Sequence, residues 1–542
     1  MDETTDSWFA PRAGDPDTIR LSVPPVPQPL RPGPPPGVID YTTPYTVPTT
    51  PPVAWSAGPS ARRSRVSRLF LLAVLLLQLC LSLRLRNTAS PAEAATLVVG
   101  RAELAHLQHG TPVATDLVQH VGGAPALYPV LAALGESVDR VAGARLVSLG
   151  LMLATTALLY SLIRRLFNER VALGAAAVYA VLQSTVVQGF SVSCEALGGL
   201  LLVCSGWIAV RAGRRPLATA VLAAVPAVAA VVTAHAVVLA LPALAALLFF
   251  GGAARHGLRT GILRLLLCSV LTGGLLAALG AAGALSGLRA DLLPEPDGVL
   301  DASIRAAAVW TGPFLAAALV GGGCYLWRER LNEVPDSEPR TTSRALRFVL
   351  VAGLCTPALL AAAIQLRAQS TAGLAEHTGL GLLFAAPLVG IALTRLVGAH
   401  FRYPQLGLLA WVLLLALGIN QSTGRFASWP DASPLLTAAY PHLAPNGRYL
   451  TQVGGVEPYY LSDYSTPGQW QSATTSAASL RAVPGVEQGS YRLVILNSAV
   501  TGPGSGRLAA AVSRSNRYRL ITQIRFRAYG TLVGYSVYVL RS

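Results

Sequence analysis

The chain has 542 residues, 52% of them hydrophobic and only 13% charged, at a mean hydropathy of +0.50. A soluble globular protein has about a quarter charged residues, so the composition excludes one and points to a polytopic membrane protein. The net charge is +16 and all 42 basic residues are arginines; they fall between apolar blocks and not in one patch, so they read as topology signals and not as a nucleic-acid surface.

Residues 1 to about 60 are Pro-rich, with VPPVPQPLRPGPPPG followed by TTPYTVPTTPPV. Such a stretch cannot bury a core and is expected to be a disordered cytoplasmic tail of polyproline II character. It is too long and too polar for a signal peptide, so the first apolar run, Leu69 to Leu83, is expected to be a retained anchor. ARRSRVSR at 61–68 precedes that run, and positive flanks stay in the cytoplasm. The apolar blocks recur at near the ~20 residues a helix needs to cross a bilayer. Backbone groups in lipid must pair internally, so the spans are expected to be helices. Beyond the first, they are predicted at 142–163, 170–188, 196–212, 216–233, 235–252, 261–286, 305–327, 345–366, 379–397 and 404–421, about eleven in all. Arg-rich links (RRLFNER, RAGRRP, Arg255 with Arg259 and Arg264, the stretch from Arg328 to Arg347, Arg395 with Arg402) alternate with Arg-poor ones (QGFSVSCE, a turn near His235, LRADLLPEPDGVLD, RAQSTAGLAEHT). That alternation puts the N-terminus inside and the C-terminus outside.

The first outer loop, about 85–141, contains AELAHLQHG and ALYPVLAALGESV, whose apolar spacing predicts short interfacial helices. Residues 422–542 change character. GRYLTQV, YRLVILNSAV and TLVGYSVYVL read as strands and SGRLAAAVSRSN as a short helix, so a small α/β domain is expected on the outer face. The organisation is therefore a tail (1–60), a membrane domain (61–421) and an extracytoplasmic α/β domain (422–542). The six cysteines, Cys80, Cys194, Cys204, Cys268, Cys324 and Cys355, form no CxxC pair and read as small packed hydrophobes. The C-terminal region has none.

Two carboxylates stand at the predicted outer ends of spans: Glu93 in NTASPAEAATLVVG and Glu195 in QGFSVSCEA. Ionisable groups near membrane depth are costly and often functional. Either could be a general base for an acceptor hydroxyl or amine, or hold a divalent cation, Mg²⁺ or Mn²⁺, on a phosphate. The bland alternative is an interfacial Glu that faces water or caps a helix. Arg367 and His377 flank the same outer link, on either side of Glu376; an Arg fork suits phosphate, although an interfacial Arg that snorkels to the surface is an equal reading. Tyr128 and Arg101 in the first loop are further candidate substrate contacts. His235 reads as a turn or packing residue, and the acids Asp291, Glu295, Asp297 and Asp301 as a solvated loop. GPGSG at 502–506 lacks the strand and Lys of a phosphate loop.

From about residue 66 to the C-terminus, NTASPAEAATLVVGRAEL, GGAPALYPVLAAL, ARLVSLGLMLATTALLYSLIRRLF, QGFSVSCEALGGLLL and LAEHTGLGLLFAAPLVGIAL resemble membrane glycosyltransferases of the C-type fold. The likeness is nearest to the actinobacterial branch related to protein O-mannosyltransferases and aminoarabinose transferases. It implies transfer of a sugar from a polyprenyl-phosphate carrier to a glycan, lipid or protein acceptor outside the cytoplasm, by a multi-pass protein of the plasma membrane. The family's first loop has an Asp-Glu pair followed by Ala and, two residues later, an aromatic; here those positions read Ala92, Glu93, Ala94 and Thr96. Its second loop ends in an aromatic and Asp, here Cys194 and Glu195. A later Lys-His is here Glu376 and His377. Two readings follow: Glu93 and Glu195 carry the chemistry, with Arg367 and His377 holding the lipid phosphate, or the chain is a catalytically degenerate relative that binds polyprenyl lipid or glycan as a scaffold. A transporter is a third reading, but no paired internal repeat supports it.

Overall fold

The computed structural model describes residues 61–111, 123–124, 126–211, 215–285, 287–292, 300–327, 343–368, 374–398, 403–427, 429, 431–500, 502–528 and 531–541. The Pro-rich tail, the middle of the first loop, Glu295 and Asp297, the link carrying Arg328 to Arg340, residues 369–373 and the side chain of Glu376 lie outside them. The chain divides into two compact units, 1–69 and 70–542. In the first, the described residues are the opening turns of a helix, α1 (Ala61–Ser82).

The second unit is mainly helical. After the remainder of α1 come α2 (Pro91–His109), α3 (Tyr128–Leu166), α4 (Glu169–Val181), α5 (Gln183–Gln188), α6 (Cys194–Val210), α7 (Pro216–Thr233), α8 (Leu241–His256), α9 (Leu258–Ala281), α10 (Leu288–Leu292), α11 (Leu300–Trp327), α12 (Arg344–Ala368), α13 (Leu374–Val397) and α14 (Pro404–Ala427). Among the described residues, nine helical stretches are long and apolar enough to cross a membrane. All eleven expected segments are helical, but two are short. The block at 170–188 is broken into α4 and α5 at Leu182, whose φ of −58° and ψ of 136° are not helical, and α6 has 17 residues. Both stretches of the first loop expected to be helical are so, one within α2 and the other as the front of α3. The α3 backbone breaks at Asp139 and Arg140 (φ 41°), separating that front from the span that follows.

Small residues let these helices touch backbone to backbone, the usual packing where lipid removes the hydrophobic drive between spans. A Cβ on Gly418 would overlap the Val181 carbonyl oxygen. Pro313 lies inside α11, so the Val309 carbonyl loses its helical donor; the Gln421 side chain of α14 donates to it at 2.8 Å. Arg264, expected among the arginines of a cytoplasmic link, is wholly buried in α9. Its guanidinium donates to the carbonyls of Pro216 at 3.0 Å, Leu248 at 3.1 Å and Ala209 at 2.5 Å, joining three neighbouring elements.

The C-terminal part adds α15 (Ser433–Ala439), α16 (Val456–Tyr460), α17 (Ser476–Gln488), α18 (Pro503–Arg514) and five strands: β1 (Tyr449–Thr451), β2 (Trp470–Ser472), β3 (Leu493–Asn497), β4 (Tyr518–Ala528) and β5 (Thr531–Leu540). The sheet runs β2-β1-β3-β5-β4, with β1 parallel to β2 and β3 and the other pairs antiparallel. Alternation along the strands gives it two faces. Leu450 and Val494 pack with Leu508 and Val512 of α18 and Val486 of α17. Tyr449, Leu493, Ile495 and Val537 join the main core shared with the membrane helices. The three expected strands and the helix at 503–514 are present; α17, β2 and β4 complete the module.

Candidate functional site

The first loop begins with a helix cap. Ser90 and Glu93 form a capping box at the start of α2, with Pro91 in its first turn. The Glu93 amide donates to Ser90 Oγ at 3.2 Å, and the Ser90 amide donates to Glu93 Oε2 at 2.8 Å. Glu93 is 2% exposed. Arg145 of α3 grips it with both prongs, Nε to Oε1 and Nη2 to Oε2, each at 2.9 Å. The same guanidinium donates to the Asn87 and Thr88 carbonyls at 2.9 and 3.3 Å. The Val192 amide, in the loop before α6, donates to Glu93 Oε1 at 2.9 Å. Each carboxylate oxygen thus accepts two hydrogen bonds. A base needs a lone pair directed at its substrate, and the described geometry leaves Glu93 little capacity for that. Its evident work is to tie α2, α3 and the α6 loop together.

Glu195 sits differently. It lies in the first turn of α6, half-buried, and accepts from Ser193 Oγ. The Ser193 amide donates to the Tyr128 hydroxyl at 2.9 Å, and that hydroxyl is 2.5 Å from Ser148 Oγ. Tyr128 is wholly buried and supports the Glu195 loop through the Ser193 amide. Arg101 is also occupied. It donates twice to Glu136, at 2.9 and 2.5 Å, and stacks 4.6 Å over the Tyr459 ring, while Tyr459 donates to Glu136 at 2.5 Å. Arg101 therefore belongs to the seam between the first loop and the C-terminal module.

His377 opens α13, and its Nδ1 is 2.7 Å from Gln365 Nε2 on the last turns of α12. Arg367, two residues on, is exposed. The start of α13 leans on the Glu195 region. A Cβ on Gly379 would meet Ser184 of α5 at 2.5 Å, and one on Gly199, a turn beyond Glu195, would meet Leu380 at 3.6 Å. One end of the bundle therefore gathers the Glu93 knot, the Glu195 loop and the His377 helix start. Arg101 stands apart, at the module seam.

Sequence reasoning missed Arg145, although an Arg inside an apolar span was itself a signal. It also missed Tyr459 and Tyr460; the latter's hydroxyl accepts from the Ala89 amide at 2.7 Å. Among the described residues no cluster of three or more His, Cys, Asp or Glu could hold a metal, and the two site carboxylates already have protein partners.

Residues 124–276 match the family model described as dolichyl-phosphate-mannose-protein mannosyltransferase. No curated protein matches the sequence. Among solved structures, the chain is similar to ArnT from Cupriavidus metallidurans bound to undecaprenyl phosphate, at 14% identity and a TM-score of 0.51 over 88% of this chain and 98% of that one. The Archaeoglobus fulgidus oligosaccharyltransferase in its apo form gives 11% identity and a TM-score of 0.49 over 86% and 74%, too weak a likeness to argue from. The chain thus shares the helical membrane fold of ArnT, and its segment 124–276 carries the mannosyltransferase family match.

Proposed function

We propose that the protein transfers a sugar from a polyprenyl-phosphate-linked donor to an acceptor on the outer face of the plasma membrane. The observation that carries this is the gathering of the Glu195 loop and the His377 helix start at one end of the bundle, in a fold shared with a structure that holds undecaprenyl phosphate. In this reading Glu195 takes the proton from the acceptor as its oxygen or nitrogen attacks the anomeric carbon and the lipid phosphate leaves. Arg367 and His377 hold that phosphate, and Gln365 orients the imidazole. Glu93 and Arg145 act by positioning the loop that carries Glu195. The test is transfer from a panel of radiolabelled polyprenyl phosphosugars by purified protein, with and without Mg²⁺ or Mn²⁺. A positioned base contributes roughly 10²–10⁴-fold, so Glu195→Gln should lower the rate by about that much with little change in donor binding. Near-wild-type transfer by that variant removes Glu195 from the chemistry.

Two observations favour the second reading, a degenerate relative serving as scaffold: Ala92 offers no carboxylate where the family has Asp, and the Glu93 oxygens are already taken up by Arg145, Ser90 and Val192. Ala92→Asp separates the two. Activity gained from a silent protein identifies degeneration; activity already present in the wild type excludes it.

A further inference from the structure

The face of the C-terminal sheet that turns away from the membrane helices is covered by α17 and α18. Between them lies an open groove of about 670 Å³. Val483, Ala510 and Ala511 line part of it, and Arg507, Arg514 and Glu487 stand around it. Arg507 and Arg514 are seven residues apart on α18, two helical turns or about 10 Å along one side. Both are exposed, and neither has an ion pair or hydrogen bond among the described residues. The surroundings reinforce their charge: residues 422–542 contain eleven arginines against four acids. Arginine forks take phosphate or carboxylate oxygens in pairs, a carboxylate such as Glu487 accepts from hydroxyls, and apolar side chains between them suit the carbon face of a sugar or polyol. The groove faces away from the sheet side that packs on the membrane helices, which disfavours bilayer lipid as its occupant.

We propose that this groove binds an anionic glycan or polyol chain, its repeating phosphodiesters or carboxylates spanning Arg507 and Arg514 while Glu487 takes hydroxyls. The groove then tethers acceptor polymer to the module that is keyed into the first loop; this rests on the outer-face placement given under the proposed function. The full chain in neutral-lipid nanodiscs is titrated with a glycerol-phosphate oligomer, an oligogalacturonate and an uncharged dextran of matched length, with no sugar donor present. At least one anionic oligomer should bind, dextran should not, and affinity should fall steeply with salt. R507Q/R514Q should lose about tenfold or more, since hydrogen bonds to charged groups are the stronger kind, and R481Q, elsewhere on α17, should change little. Equal binding of dextran, no binding of either anion, or an R507Q/R514Q protein that binds as well as wild type overturns the proposal. So does binding to vesicles of anionic lipid, without polymer, that R507Q/R514Q abolishes. Transfer to a short uncharged acceptor is measured in parallel; if it persists while oligomer binding fails, the groove reading falls and the transferase reading stands.

Discussion

Glu457 shows what burial does to a single group in this protein. It lies in α16, wholly buried, with Thr451 Oγ1 donating to its Oε1 at 2.8 Å and no partner for Oε2 among the described residues. Loss of solvation outweighs the hydrogen bonds that favour its anion and pushes the carboxyl from 4.5 up to about 7. The buried Tyr535 hydroxyl, whose own ionisation is opposed by burial and then by Glu457, faces the same region. Because the folded-state value is raised, the folded protein keeps its proton where the unfolded chain has lost it. Stability is then full below about pH 4.5, declines as pH rises towards 7, and levels off above, by about 3 kcal/mol in all. Thermal unfolding of the C-terminal module should fall from pH 5 to pH 7.5, and Glu457→Gln should flatten that slope. An unchanged slope in the variant assigns the pH response elsewhere. The sequence made Glu93 visible because a carboxylate in a small, uncharged segment is conspicuous. It did not reveal that Glu93 is spent on Arg145, since that pairing spans 52 positions. Glu457 was invisible for a related reason: in VEPYY its burial comes wholly from packing between sheet and helices.

At the scale of elements, apolar periodicity found the helices and missed where they break. After Arg170 the 170–188 block stays apolar until QSTVVQ, and only packing fixes the break at Leu182. Strand β4 was missed because YRLITQIRFRA carries three arginines; pairing with β5 along most of its length supplies the strand state that composition does not. The proline in α11 offers the sharpest test of how elements hold one another. The Val309 carbonyl depends on Gln421, and leaving a carbonyl that is out of reach of water unpaired costs about 1–3 kcal/mol. Gln421 Oε1 has no partner among the described residues, so removing the amide also removes one unsatisfied group, and the net cost of Gln421→Leu should sit near the low end. Pro313→Ala returns a helical donor to Val309. The cost of Gln421→Leu should therefore shrink in the Pro313→Ala background, read as non-additive shifts in thermal unfolding in detergent. Additive shifts would mean the hydrogen bond contributes nothing to the α11–α14 contact.

At the scale of the molecule, the C-terminal module is keyed into the first loop. Tyr459 reaches Glu136, Tyr460 holds the Ala89 amide, and Gly455 lies so close to α2 that a Cβ there would fall 2.6 Å from the Ala95 amide nitrogen. Whichever side of the bilayer holds the module therefore also holds the Glu93 and Glu195 loops. Arginine placement in the sequence predicts that side to be outside, and the whole proposed function depends on it, because the proposed donor and acceptor would meet there. The two sides can be told apart in intact cells. In a background without native cysteines, Ala477→Cys, on an exposed first turn of α17, should react with a membrane-impermeant maleimide. Arg259→Cys, exposed at the start of α9 in an Arg-rich link, should react only after the cells are permeabilised. The reverse pattern would place the keyed module and both carboxylates in the cytoplasm, and the donor, the acceptor and the anionic polymer would all have to be abandoned together.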